Sequence, residues 1–291
     1  MRPAVRRLYG LLMLSGILSA CSAPGVSVPF SEPAAAIVDG QSIPMKAYQA
    51  RLAVSRHRDP FAGIPEAVPS PAPSQRLEDF TIEQLVREEI IRQLASRRGI
   101  TIADGAVSAR IASLRSSAGA SAFNAALSRN GFTNESFAAY ERALLAEVAL
   151  LHAMARDRVR SAAQELKNGQ PFAGVVARWS DDQGTSTRGG DAGWLRPADI
   201  PEAPLATAVA GLDPGEVTPV VETSRGFTIA SVLDRRNDQV HLAVLLVLAP
   251  SVELFSPQGT PPWFISAIDE RESALRRDGK IAIKVGSHAG R

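Results

Sequence analysis

Cysteine is nearly missing from this sequence, and histidine and the large aromatics are scarce. The 291 residues include one Cys, four His, three Trp and three Tyr. A single cysteine excludes an intramolecular disulfide framework, a Cys-rich zinc site and a cysteine-ligated iron–sulfur cluster. The histidines (His57, His152, His241 and His288) are too scattered to assemble a metal centre, so no metal is expected. No apolar run reaches the roughly 20 residues a spanning helix needs. Nor is there a Lys/Arg block that would track a phosphate backbone, which disfavours nucleic acid. What is present, 45% hydrophobic and 21% charged residues, fits a globular chain with room for one large or two modest domains.

The lone cysteine has an informative place. Arg2, Arg6 and Arg7 precede the apolar stretch Leu8 to Leu18, which ends in Leu18-Ser19-Ala20-Cys21. A basic start, a short apolar stretch and small residues before a cut site make a secretory signal. Leu-Ser-Ala-Cys resembles the lipobox of bacterial lipoproteins, which implies cleavage before Cys21 and lipidation of that residue. The alternative is an ordinary signal peptide. Acyl chains hold a domain on a bilayer without a spanning helix. The formal charge of +2 belongs to the uncut chain; removing residues 1–20 leaves 29 basic against 30 acidic residues.

Residues 21–35 read as a Ser/Pro/Ala-rich tether. Ala36 to Pro44 reads as a strand, an Asp-Gly turn and a helix start, with helical spacing from Met45 to Arg56. Five prolines between Asp59 and Ser74 make an extended loop. Gln75 to Arg98 is the clearest amphipathic helix, its stripe formed by Ile82, Leu85, Val86, Ile90 and Leu94. A helix capped by Asp104, a short helix over Ser121 to Arg129 and a long helix from Thr133 towards Val159 follow. These faces are expected to pack on one another. From Ser161 the pattern changes to two helical turns around Gly169-Gln170-Pro171, a Gly-rich loop, and short β-rich runs at Val217–Val221, Phe227–Leu233 and Val240–Leu248. A surface helix within Trp263–Lys280 and a short strand Ile281–Val285 close the chain. The fold class is α+β.

Four segments stand in register. Gly169-Gln170-Pro171-Phe172 runs on to Ala177-Arg178-Trp179-Ser180-Asp181-Asp182. Gly189-Gly190-Asp191-Ala192-Gly193-Trp194-Leu195 follows. Then come Gly211-Leu212-Asp213-Pro214-Gly215-Glu216-Val217-Thr218-Pro219-Val220 and Gly226-Phe227-Thr228-Ile229. Their order and spacing resemble the parvulin (rotamase) family of peptidyl-prolyl isomerases over about Arg160 to Asp234. The Val-Asp-Gly-Gln-Ser-Ile-Pro start and the helices after it look like the SurA/PrsA group of extracytoplasmic foldases. The resemblance implies a signal at 1–20, a tether at 21–35, a helical SurA-like chaperone domain at 36–159, a parvulin-like antiparallel-sheet domain at 160–250 and a C-terminal extension at 251–291.

The family's first strand, ahead of its first helix, has no counterpart before Ser161. Val240 to Val247 resembles that strand and directly follows the last one, so a circularly permuted sheet is expected, with a hairpin at Arg235–Asp238. The alternative is that Val240 begins a separate element. The family's two histidines under the site correspond here to Val244 and Thr228. His241, three residues before Val244, points to the other face of a regular strand. By resemblance Asp182 falls beside the substrate amide, and Asp182 and Thr228 are the candidate catalytic residues. Ala192, Trp194, Ile200, Leu205 and Phe227 are expected to line the substrate slot.

Other chemistries fit less well. Asp181-Asp182 with Asp191 lacks the spacing of a calcium loop. Ser180 has no Gly-x-Ser-x-Gly context, and Gly189-Gly190 is no phosphate loop. No cofactor is expected. The reading is a lipid-anchored extracytoplasmic isomerase and chaperone acting on unfolded secreted polypeptides with X-Pro segments. The alternatives are a chaperone or peptide-binding lipoprotein with a catalytically degenerate rotamase domain, and a structural envelope lipoprotein.

Overall fold

Asp39-Gly40 folds the first hairpin. Both residues have positive φ (47° and 81°), the backbone a two-residue hairpin turn requires and Asp-Gly tolerates. The turn joins β1 (Ala34–Val38) to β2 (Gln41–Pro44), so a second strand stands where a helix start was expected. The computed structural model describes residues 32–56, 71–72, 74–256 and 259–288. Residues 1–20, Cys21, the tether through residue 31 and most of the Pro-rich loop lie outside them.

Helix α1 (Met45–Ser55) follows β2, and α2 (Leu77–Arg97) buries Ile82, Leu85, Val86 and Ile90 as the apolar stripe requires. Helix α3 (Asp104–Ala118) differs from expectation at its start. Ala103 holds the cap position, and Asp104 sits in the first turn, where its carboxylate pairs with Arg142 at 2.6 Å. Helix α4 (Ala120–Arg129) leads to α5, Asn134–Lys167. Thr133 and Ser136 cap α5 reciprocally. The Ser136 N–H donates to Thr133 Oγ1 at 3.0 Å and the Thr133 N–H to Ser136 Oγ at 2.9 Å. The helix runs 34 residues, beyond Val159, because nothing breaks it before Gly169, where φ turns to +81°. Residues 159 and 160 therefore lie inside one helix.

The remaining elements are α6 (Phe172–Trp179), β3 (Asp191–Leu195), α7 (Ala203–Ala210), β4 (Val221–Thr223), β5 (Gly226–Arg236), β6 (Gln239–Leu248), α8 (Pro262–Arg277) and β7 (Ile281–Ile283). They complete two sheets. Strand β7 returns to β1, giving the order β2-β1-β7. The second sheet is antiparallel with the order β3-β6-β5-β4. Thus Val240–Leu248 is the antiparallel neighbour of Phe227–Leu233, joined to it by a hairpin at Asn237-Asp238, and it lies between β5 and β3. The alternative of a separate element is excluded, because Val240–Leu248 pairs directly with both β5 and β3, the pairing that a permuted sheet calls for.

The four-stranded sheet is buried on both faces. One face (Phe227, Ile229, Leu245, Val247) joins the main core with α2, α5, α6 and α8. The other face (Ala230, Val232, Val240, Leu242) packs with Ile200, Leu205 and Val209. A small cluster of Phe123, Leu127, Phe137 and Tyr140 holds α4 against α5. On α8 the buried residues are Phe264, Ile268 and Leu275, so the helix expected at the surface packs one face into the main core.

Candidate functional site

The loop after α6 is stitched to β6. The Asp181 N–H donates to the Leu246 carbonyl at 2.7 Å, and Ser180 Oγ accepts from the Leu246 N–H at 3.2 Å. The Asp181 carboxylate accepts from the Leu248 N–H at 2.9 Å. Leu246 is the cross-strand partner of Thr228, so the loop brings Asp182 to the end of the sheet where Thr228 lies. Asp182 Oδ2 accepts from the Thr185 hydroxyl at 2.6 Å. Its Oδ1 stands 3.9 Å from the Arg225 guanidinium.

Gly189-Gly190 closes the same loop. The Gly190 carbonyl accepts from the Val244 N–H at 2.8 Å. With φ at +91°, a Cβ on Gly190 would sit 2.7 Å from the Val244 carbonyl oxygen, so the strand admits only glycine there.

Strand alternation decides which expected residues share a face. Thr228, 4% exposed, lies in step with Ala230 and Val232, and its partner across the β4 ladder is Val221. Val244 packs on the same cluster. Ile200 and Leu205, 6% and 7% exposed, belong to this face too, as a closed apolar floor. Ala192 sits half-buried at the β3 bulge between Asp191 and Gly193.

Two expected slot residues lie elsewhere. Phe227 points to the opposite face, into the main core, with His152 edge-on at 6.1 Å and the Arg156 guanidinium 5.5 Å from its ring. It neighbours Thr228 in sequence, and for that reason faces away from it. Trp194 pairs across the strands with His241, on the side opposite Leu195 and Val240. The two rings stack at 5.0 Å, and Arg236 covers the indole at 4.2 Å. His241 occupies the face away from Val244, as expected, where its Nε2 meets Asp191 Oδ1 at 2.8 Å. That hydrogen bond, with the Gly193 N–H, holds the Asp191 carboxyl below the usual carboxylate range.

Sequence reasoning missed Asp181 and Trp263. The Trp263 indole N–H reaches both Asp181 oxygens, at 3.1 and 2.9 Å. Burial pushes the Asp181 carboxyl up, opposed by the indole and Leu248 N–H donors. Nothing local marks a contact between residues 82 positions apart. Among the described residues no cluster of His, Cys, Asp and Glu could hold a metal ion.

Residues 147–234 match the Rotamase family, described as the PPIC-type PPIASE domain. Residues 1–151, just over half of the chain, match the SurA-like N-terminal domain. The chain belongs to the SurA-like family. Among relatives of this SurA-like chain, Chaperone SurA of Chromobacterium violaceum is 25% identical over 281 residues, covering 80% of this chain and 64% of that protein. Chaperone SurA of Chromohalobacter salexigens is 38% identical over 88 residues, 30% of this chain and 19% of that protein. The SurA-like chain therefore spans less than two thirds of either relative. The foldase protein PrsA from Lactococcus lactis matches over 89% of this chain and 97% of its own at 16% identity, with a TM-score of 0.31.

Proposed function

We propose that this chain is an extracytoplasmic foldase that catalyses prolyl cis–trans isomerisation and holds unfolded polypeptides. The observation that carries this reading is the β3-β6-β5-β4 sheet with the Ser180–Asp182 loop stitched across its end, within a chain whose residues 147–234 match a PPIC-type domain. Rotation about an X-Pro bond meets a barrier of about 18–20 kcal/mol from amide resonance. Lowering it needs no cofactor and no covalent step. It needs an apolar surface that takes the proline ring out of water, and a polar group that favours the twisted amide over the planar one. Thr228, Val221 and Leu246 lie buried beneath that surface, and Ala192, half-buried at the β3 bulge, borders it. Asp182, steadied by Thr185, offers the polar group. The helical module, by its likeness to proteins named chaperones, holds unfolded secreted chains while X-Pro segments reach the rotamase face.

A second reading keeps the peptide-binding role and drops the catalysis. It is favoured by Thr228 and Val244, which stand where the rotamase family carries histidines and cannot replace imidazole hydrogen bonding. A protease-coupled assay on a prolyl tetrapeptide separates the two. Acceleration that Asp182→Ala reduces at least tenfold supports the enzyme. No acceleration at micromolar protein, with client aggregation still suppressed, supports the chaperone alone.

The Cys21 anchor belongs to the same proposal. Labelling cells with a palmitate analogue and isolating the protein is expected to give an acylated chain. Cys21→Ser is expected to abolish the label, and an unlabelled wild-type chain would reject the anchor.

A further inference from the structure

The C-terminal helix reaches into the rotamase loop at one point. Trp263, in the first turn of α8, donates its indole N–H to the Asp181 carboxylate. The same carboxylate receives the Leu248 N–H, and the Asp181 N–H is bonded to the Leu246 carbonyl. Arg158 of α5 closes the arrangement from the side. Its guanidinium lies between two indoles, 4.9 Å from the Trp179 ring and 5.4 Å from the Trp263 ring, and it donates to the Arg178 carbonyl at 3.2 Å. Helices α5, α6 and α8 and strand β6 thus converge on one half-buried carboxylate, adjacent in sequence to Asp182.

That geometry constrains Asp182 from one side only. Downstream, the loop is held by the Thr185 hydroxyl on Asp182 Oδ2 and by the Ser186 N–H on the Asp182 carbonyl at 2.9 Å. Upstream, Ser180 Oγ accepts from the Leu246 and Asp182 N–H groups, and Asp181 is held on β6, with Leu248 and Trp263 as the donors to its side chain. Leu248 belongs to the sheet. Trp263 belongs to α8, which is tied through Asp269 and Arg276 to Arg87 and Glu83 of α2.

We infer that Asp181 and Trp263 are positioning residues for the rotamase site: α8, an element outside the rotamase match, fixes the Ser180–Asp182 loop against β6 and so places the Asp182 carboxylate. This deepens the isomerase reading and rests on it. Without the indole donor the Asp181 side chain keeps one protein N–H instead of two. The loop then loosens at the residue preceding Asp182, while Thr228 and the apolar floor stay where they are. The expected consequence is a loss in turnover with little change in peptide affinity, since a misplaced polar group costs more in the twisted state than in the ground state.

The test uses the full chain and Trp263→Phe, which keeps an aromatic ring over Arg158 and removes the N–H. On a prolyl tetrapeptide, kcat is expected to fall about fivefold and KM to move less than twofold. In the Asp182→Ala background the same substitution is expected to change kcat by less than a factor of about 1.5, because the group being placed is gone. Asp181→Asn, which keeps an acceptor oxygen, is expected to retain more activity than Asp181→Ala. A parallel measurement needs no activity: amide exchange of residues 181–186 is expected to quicken at least tenfold in Trp263→Phe, with β5 and β6 unchanged. Equal exchange in the two proteins overturns the inference, as does a kcat loss that is additive with Asp182→Ala. An inactive wild-type chain would reject the isomerase reading and with it any role for these residues in turnover, and the exchange data would then decide only whether Trp263 holds the loop.

Discussion

Single buried charges make the sharpest demands on this fold. Glu141 is fully buried on α5 with Arg110 Nε at 3.4 Å, and Arg110 also reaches Glu253 at 3.5 Å. Burial pushes the Glu141 carboxyl up while Arg110 pulls it down. Removing one partner of such a pair strands the other, at a cost of about 3–5 kcal/mol. Arg110→Met is therefore expected to lower stability by roughly that amount in urea unfolding, and Glu141→Gln in the same background to recover part of it. Glu147 shows the opposite balance. Its carboxyl is pushed up to about 7, by burial first and then by Glu88, against a smaller opposing effect of Arg87. A raised carboxyl favours the protonated folded state. Stability is then highest below the unfolded pKa of about 4.3 and falls as pH rises towards about 7. Glu147→Gln removes that loss, so relative to wild type the variant is expected to be more stable at pH 8 than at pH 4 in thermal melts. An equal difference at both pH values would contradict it. Several residue positions are legible in the sequence, and strand parity accounts for two that are not. Thr228 and His241 fall on the faces their parity dictates. The resemblance sets Phe227 and Trp194 at the slot, yet alternation turns both away from Thr228.

Elements show why motif order outran periodicity. The amphipathic stripe of α2 and the Thr133 start of α5 are local properties and match the structure. The end of α5 is set by Gly169 rather than by the loss of large apolar residues after Val159, so spacing alone stopped it two turns early. The place of β6 was legible because Val240–Leu248 follows a tight polar turn, and a hairpin leaves little choice of neighbour. The β1–β7 pairing was not legible, since three residues, Ile281–Ile283, carry too little pattern to name a partner. The β3–β6 contact depends on close backbone approach at Gly190. Gly190→Ala places a methyl against Val244 at positive φ, and is expected to cost about 2 kcal/mol or more. Urea unfolding checks the cost, and amide exchange at Val244 checks whether β3 has come away from β6. A variant as stable as wild type would mean the loop repacks without β3.

At the scale of the whole molecule, the helices and the four-stranded sheet are not independent. Pro33 onwards forms one compact unit, and its main core contains Ile82 and Ile90 of α2, Leu150 and Leu151 of α5, Ile229 and Leu245 of the sheet, and Phe264 and Ile268 of α8. Cutting the chain after residue 250 removes Phe264, Ile268 and Leu275, each at most 1% exposed, and leaves β1 without its β7 edge. Burial of such side chains contributes about 1.5–3 kcal/mol each, a sum comparable with the stability of a typical domain. A 33–250 fragment is therefore expected to lose cooperative thermal unfolding, as followed by circular dichroism. Full cooperativity would show that α8 and β7 are accessory.

The proposed function sets a prolyl isomerase site at Asp182 and Thr228 on this shared framework. It is tested most directly without a coupling protease, by magnetisation exchange between the cis and trans proline resonances of a tetrapeptide in the presence of substoichiometric full-length protein. The predicted result is a cis–trans exchange rate raised well above that of the free peptide by wild type, and at least tenfold less by Asp182→Ala at equal concentration. Exchange no faster than in the free peptide, or equal acceleration by the two proteins, would contradict it.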